Sequence, residues 1–439
     1  MKKDINIKKI ILFTALIWGS ISTSVAQDRD ALDNFINDAV NDGYFPGAQI
    51  VVGNKSGVIY SNTYGYMDYS NSKAVTDETL YDLASCTKVC ATTLSVMRLV
   101  DQGQLSLEAQ LGDLLEFPDT IQFKNVKVKE LLYHTSGFLA GVPVAKSLMV
   151  TRSEDIPILS RRKTKDNPYH FDTKYYSAKD IIRDSIYISR DADKNKVRIA
   201  TDLYLDRSYY VKLDSMVWAA YRDKQRGRHV YSDLNFYLLQ KIVEKITSTS
   251  LDQYTNEIYK EMKLTDIGFN PLEWSEIERI TPSEKDVMLR RDTIRGFVHD
   301  DLACIQGGVC GNAGLFSTAN SVAQICGMFL RDGIDYNGNR IIDSATIQKF
   351  AKIEHSPYNS SVYGLGFTKI DSKDRPYTPE SYGHSGYTGT YLWIDPTKDI
   401  YVVILTNRTY PSRTNKKFNP EFRSKMWEVV MQSFSSEIK

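Results

Sequence analysis

Ser85 and Lys88 stand three residues apart in Asp82-Leu83-Ala84-Ser85-Cys86-Thr87-Lys88-Val89-Cys90. At that spacing on a helix a hydroxyl and an amine share one face, close enough to exchange a proton. The chemistry this offers is nucleophilic: a serine that attacks a carbonyl while a neighbouring lysine takes its proton. Spacing alone is weak, because Ser-x-x-Lys recurs at Ser70 and Lys73, Ser160 and Lys163, and Ser436 and Lys439. Those three lie in a turn-rich segment, a basic loop and the last residues of the chain, none of which holds a side chain rigidly. Ser85 differs in the segment after it. Val89, Cys90, Ala91, Leu94, Val96, Met97, Leu99 and Val100 are apolar on nearly every face, the mark of a buried helix. Lys88 then starts its path inside the protein, where desolvation is expected to push its pKa down toward a base's range. A serine at a helix start also has free N–H groups nearby for a developing oxyanion. The plain alternative is an N-cap serine with a lysine that snorkels outward, and this segment by itself leaves both readings open.

The elements that must position these residues alternate in type. Residues 31–42 have helical periodicity, with Leu32, Phe35, Ile36, Ala39 and Val40 on one face. The segments 47–53 and 58–60 read as a β-hairpin. Helices are expected around 235–245 and 251–262, strands between 363 and 407, notably Tyr401-Val402-Val403-Ile404-Leu405, and an amphipathic helix over 420–434. Strands at both ends with helices between them imply an α/β (α+β) fold: one antiparallel sheet formed from both chain ends and flanked by helices, with an all-helical subdomain inserted in the middle. The polar, Tyr-rich stretch 142–230 reads as an insertion covering something.

With 439 residues, 42% hydrophobic and 25% charged, the chain is an ordinary globular protein. A formal net charge of +1 gives no reason to expect nucleic acid. Lysines 2, 3, 8 and 9 precede the apolar run 10–18 and the small residues 22–26. That is the pattern of a signal peptide over 1–26, which makes 27–439 an exported domain, secreted or periplasmic. The apolar run is too short for a membrane span, and no later segment is long enough. The five cysteines lack metal-ligand pairs and read as buried packers with room for one disulfide. The six histidines include no His-x-x-x-His pair, so a metal site finds no support.

Two further segments settle the role of Ser85. Tyr231-Ser232-Asp233-Leu234-Asn235 resembles the Tyr-x-Asn region of the serine β-lactamase and penicillin-binding-protein superfamily, and Gly383-His384-Ser385-Gly386-Tyr387-Thr388-Gly389-Thr390 resembles its Lys-Thr-Gly strand. With Ser85-x-x-Lys88 they stand in the family's order, closest to its class C and esterase-like branch. His134-Thr135-Ser136-Gly137, the segment 307–318 and Leu405-Thr406-Asn407-Arg408 also look like family landmarks, so the resemblance covers most of the chain apart from 142–230. It implies that Ser85 is the acylated nucleophile, Lys88 its proton partner and Tyr231 the proton shuttle. The oxyanion would lie between the backbone N–H groups of Ser85 and Tyr387, with Asp233, His384, Ser385 and Gly386 as substrate-binding positions. Such chemistry calls for no cofactor and acts on a small ester or amide. Two departures matter: the family's third-motif lysine is His384 here, and its second-motif asparagine is Asp233. A fixed cation becomes a mostly neutral imidazole, and an inward Asp233 would hold Lys88 more firmly protonated. Both weaken the case for efficient β-lactam hydrolysis. They are compatible with an esterase, a D-amino-acid peptidase or a transesterase using an alcohol acceptor. A β-lactamase and a low-turnover penicillin-binding sensor are the remaining alternatives.

Overall fold

The structure is a computed structural model, which describes residues 29–152, 155–352, 354–355, 362–369 and 377–438. The leader reading of 1–26 lies outside these. Helix α1 (29–41) runs into a hairpin of β1 (Gly47–Asn54) and β2 (Gly57–Gly65). The late strands β3 (Tyr382–Gly386), β4 (Thr390–Asp395) and β5 (Ile400–Thr406) complete a sheet of order β3-β4-β5-β1-β2, antiparallel throughout. The join between chain ends is β1 on β5, with Ile50 opposite Ile404.

Alternation along these strands decides which layer each residue feeds. Ala48, Ile50 and Val52 of β1 and Val402 and Ile404 of β5 face α1 and the terminal helix α6 (Pro420–Ser433), where Leu32, Ile36, Met426, Trp427 and Val430 are buried. Val51, Val403 and Leu405 point the other way, into the main core with α2 (Leu94–Asp101) and α5 (Ala319–Leu330). Helices α3 (Asp233–Thr247) and α4 (Leu251–Glu261) pack on each other and on α2 and the segment leading into it. A second, short sheet pairs Tyr81–Asp82 with Leu315–Ser317, and the latter with Ile267–Phe269. That pairing brings the glycine-rich 307–314 loop beside Ser85.

The middle of the chain corrects the expectation of an all-helical subdomain. Besides the helix Tyr209–Trp218 it carries short strands, including Lys196–Ala200 paired with Leu203–Asp206. The reason is local: burial alternates along Val197, Arg198 and Ile199 and again along Leu203, Tyr204 and Leu205, a period of two that a helix cannot satisfy. Among the described residues no helix is long and apolar enough to cross a membrane. All five cysteines are free, buried thiols.

Trp427 is fully buried where both chain ends meet the sheet. Trp427→Ala is expected to cost about 3–5 kcal/mol, read as a lowered urea midpoint with an unchanged m-value.

Candidate active site

Ser85 sits in a short 3₁₀ turn, Ala84–Cys86, which leads into a π-helical stretch, Lys88–Thr93, before α2 begins. Ala84 holds a left-handed backbone (φ 46°), a conformation a non-glycine residue keeps only when its surroundings enforce it. The enforcement is visible. Ala84 N–H donates to Asp82 Oδ1 at 2.8 Å, while Asp82 Oδ2 accepts from His299 N–H at 2.7 Å.

Lys88 does not snorkel. It has no solvent exposure, and its Nζ donates to Ser85 Oγ at 3.1 Å, Asp233 Oδ1 at 2.6 Å and the Asn312 carbonyl oxygen at 3.0 Å. The Tyr231 ring lies 5.0 Å from the same Nζ, and its hydroxyl interacts with the side chains of both Lys88 and Ser85. Asp233 opens α3, where the helix dipole favours a carboxylate. The loop before it is tied down by Ser232 N–H donating to His134 Nδ1 at 3.0 Å and Asp233 N–H donating to the Ala140 carbonyl at 2.8 Å. His134 therefore anchors the segment that carries Tyr231, and its ring packs on Tyr231 at 4.6 Å.

These contacts reverse the expected direction for Lys88. Burial pulls the amine down, but the Asp233 carboxylate, with Tyr231, outweighs it and holds Lys88 above its ordinary value. The weaker expectation, that an inward Asp233 keeps Lys88 protonated, is the one the geometry follows. Burial pushes Asp233 up more than Lys88 pulls it down, and burial raises Tyr231 likewise. His384 is pushed down to about 3 by burial and by the nearby Lys88 charge, so it is neutral at ordinary pH. Cys86 beside the serine is pushed up to about 12 by burial, which makes it an inert thiol.

The third segment braces the serine loop from the sheet side. Thr388 Oγ donates to the Asp82 carbonyl at 2.7 Å and Thr390 Oγ to the Leu83 carbonyl at 2.8 Å. A Cβ on Gly386 would collide with the Leu83 carbonyl oxygen and the Thr390 hydroxyl, so only glycine lets β3 come this close. Arg408 donates to the Tyr387 carbonyl and fixes the turn that carries the Tyr387 peptide.

Ser85, Tyr231, Asp233 and Tyr387 line one cavity of about 490 Å³, while His384, Ser385 and Gly386 are not among its lining residues. His384 is buried, with Nδ1 2.9 Å from the Ser385 carbonyl. The stretch 142–230 contributes Val142, Val144, Leu159, Phe171, Asp172 and Tyr175 to the lining. Several lining or supporting residues have no motif to announce them. The Asn312 carbonyl, in the 307–318 segment, accepts from Lys88. Asp300, Asp301 and Arg413 line the cavity too. Arg413 Nε and Nη2 grip Glu284 at 2.8 and 2.5 Å, and His299 Nε2 lies 2.8 Å from the same carboxylate. Burial raises Glu284, but His299 and Arg413 prevail and bring it to about 2. Among the described residues no cluster of His, Cys, Asp and Glu is arranged to hold a metal ion.

The buried imidazoles make the fold acid-sensitive. His384 is depressed to about 3 and His134 well below 6.5, in both cases chiefly by burial. The unfolded chain binds these protons first, so stability is expected to fall as pH drops below about 6.5, by up to about 3 kcal/mol per pH unit from this pair. Urea midpoints between pH 7 and pH 4 measure the slope, and ring NMR should show no titration of His384 above pH 4.

Comparison with known proteins agrees with this geometry. The Beta-lactamase family model matches residues 32–160 and 200–420. The chain is 29% identical over 413 residues to an N-acetylmuramyl-L-alanine amidase of Bacillus subtilis (strain 168), covering 86% of this chain and 80% of that one. It is 27% identical over 431 residues to a putative D-alanyl-D-alanine carboxypeptidase of Salmonella enteritidis PT4, covering 90% and 86%. Its fold is similar to that of an octameric penicillin-binding protein homologue from Pyrococcus abyssi, with TM-score 0.61, 20% identity and coverage of 91% and 76%. It is also similar to EstCE1, a hydrolase with promiscuous acyltransferase activity, with TM-score 0.63, 18% identity and coverage of 93% and 99%. The order of the three motifs, their convergence on the Ser85 loop and the family match over most of the chain lead to one conclusion: this protein belongs to the Beta-lactamase family and is a serine hydrolase of that type.

Proposed function

We propose that the protein is an exported acyl hydrolase that works through an ester on Ser85, with an ester or amide as donor. The observation that carries this reading is the fully buried Lys88 Nζ, 3.1 Å from Ser85 Oγ and 2.6 Å from Asp233 Oδ1, behind the cavity floor that Ser85 forms. The leader-like residues 1–26 support export.

A protonated lysine cannot act as a base, so the pair must rearrange first. Lys88 is fully buried and Asp233 partly so, which penalises both ionised partners, and burial has raised the Asp233 carboxyl. Passing one proton from Lys88 to Asp233 neutralises both groups and leaves an amine beside Ser85, with the net charge of the pair unchanged. Ser85 Oγ then bonds to the substrate carbonyl carbon as its proton moves to Lys88. The Tyr231 hydroxyl, next to both groups, supplies a proton to the leaving group as its bond to the carbonyl carbon breaks. It later withdraws one from the incoming water, whose attack breaks the bond between the acyl carbon and Oγ as Lys88 returns its proton to Oγ. The N–H groups of Ser85 and Tyr387 face the developing oxyanion. Neutral His384 offers no fixed cation for a substrate carboxylate, which argues against β-lactams as preferred donors.

Transfer to an alcohol is the second reading, favoured by the apolar wall of Val142, Val144, Leu159 and Phe171. Incubating a p-nitrophenyl ester with and without an alcohol separates the two, because a transferase gives a new ester where a hydrolase gives only free acid.

Intact-mass measurement with p-nitrophenyl esters, a chromogenic cephalosporin and D-Ala-D-Ala peptides should find an acyl adduct that disappears in Ser85→Ala. An adduct that persists in that variant sinks the assignment.

Asp233→Asn removes the proton store, so Lys88 must lose its proton to solvent. The acid limb of kcat/KM is then expected to move to higher pH, with a loss of about tenfold or more at pH 6 that recovers toward pH 9. A limb that moves to lower pH would show that Asp233 only restrains Lys88.

A further inference from the structure

We infer that the protein carries a second ligand site, separate from the Ser85 cavity, where Lys369 receives the carboxylate of a fatty-acid-like molecule and an apolar cavity receives its alkyl chain. The site is independent of the acyl chemistry at Ser85.

The second cavity has a volume of about 580 Å³ and shares no lining residue with the first. Its apolar wall comes from Phe329 and Leu330 at the end of α5, Ile347 and Ala351 of the helix Ser344–Ala351, and Tyr382 at the start of β3. Ile347 and Ala351 are four apart and share one helix face. A mainly apolar space of this size with a few placed polar groups is the usual form of a small-molecule site.

Lys369 is the polar group that matters. It is 6% exposed, and its Nζ donates to the carbonyl oxygens of Ala351 at 2.8 Å and Glu380 at 3.2 Å, two residues that also line the cavity. An ammonium has three donors, and the third has no partner among the described residues. The two nearest acids are engaged elsewhere. Glu380 Oε2 accepts from Thr397 Oγ at 3.2 Å, while Asp395 Oδ1 accepts from Thr378 Oγ at 2.7 Å and from the N–H groups of Thr397 and Lys398 at 3.1 Å. Lysine is rarely buried without an opposite charge. Burial accordingly pulls the amine down to about 8, although Glu380 and Asp395 raise it through space, so it stays mostly charged at pH 7. At the exposed rim Lys55 and Lys352 are balanced by Asp332 and Glu380, which leaves Lys369 as the uncompensated cation of the lining. A carboxylate would fill the third position with a charge-assisted hydrogen bond. One free donor suits a monoanion, whereas a phosphate would bring further oxygens into an apolar wall with nothing to bond them.

Equilibrium dialysis of the full protein against hexanoate, octanoate and decanoate, with decanol as the uncharged control, tests the site. Affinity for the acids should rise by up to about fourfold per added methylene. At pH 7 decanol should bind about tenfold or more weakly than decanoate. Decanoate should itself weaken about tenfold between pH 7 and pH 9 as Lys369 loses its proton, with Tyr382 kept neutral by burial. Lys369→Met should bring decanoate down to the level of decanol, and Ala351→Phe, which fills the cavity and keeps the amine, should remove both; thermal midpoints show whether each variant folds. If either does not, the chain-length and pH series on the unsubstituted protein decide. Decanol bound as tightly as decanoate, no binding at any chain length, or decanoate bound undiminished by folded Ala351→Phe, which would seat it elsewhere, each overturns the inference and leaves the chemistry at Ser85 untouched.

Discussion

Everything around the site depends on placing one ammonium group where there is no water. Lys88 is fully buried, and taking a lysine charge out of solvent costs several kcal/mol unless its donors are all satisfied. Three acceptors meet it: a hydroxyl at Ser85, a carboxylate at Asp233 and a backbone carbonyl at Asn312. They come from segments up to 227 positions apart, so no single element can hold the cation. The fold must bring the turn and π-helical stretch ahead of α2, the start of α3 and the 307–314 loop to one point. The short sheet that joins Tyr81–Asp82 to Leu315–Ser317 does this for the first and third, and His134, bonded to Ser232 N–H, does it for the second.

The serine loop is held under strain by the same logic. A left-handed Ala84 is unfavourable in isolation, yet Asp82 accepts its N–H while Thr388 and Thr390 secure the carbonyls of Asp82 and Leu83 just before it. Those two threonines belong to the β3–β4 turn and its exit, so the sheet built from both chain ends fixes the rotation of the nucleophile. Gly386 completes the contact by having no Cβ to keep the strand away. Chemistry in the middle of the chain is thereby tied to pairing between its ends.

Legibility in the sequence depends on how local each signal is. The run from Tyr401 to Leu405 and the all-round apolarity after Ser85 are local patterns, and both produce the expected elements. The short strands of the middle region escape a sequence reading because pairs such as Lys196–Ala200 with Leu203–Asp206 leave too few residues for a period of two to stand out. Burial considered alone gives the wrong direction for the Lys88 shift, since the outcome turns on where the Asp233 carboxylate points. Asn312 acts through its backbone carbonyl, which no side-chain pattern can signal. Glu284 and Arg413 are 129 residues apart, and only tertiary structure makes them partners.

The two departures from the family's motifs change the cavity's charge in the same direction. Replacing a lysine by His384 removes a cation, and burial keeps the imidazole neutral. Replacing an asparagine by Asp233 adds a carboxylate, which Lys88 compensates at 2.6 Å. The cation that compensates Asp233 is therefore the one that must act on Ser85, so nucleophile activation and local charge neutrality share a single proton. A donor carrying its own carboxylate would enter a space already lined by Asp300 and Asp301, with Arg413 bound to Glu284 and little positive charge to receive it.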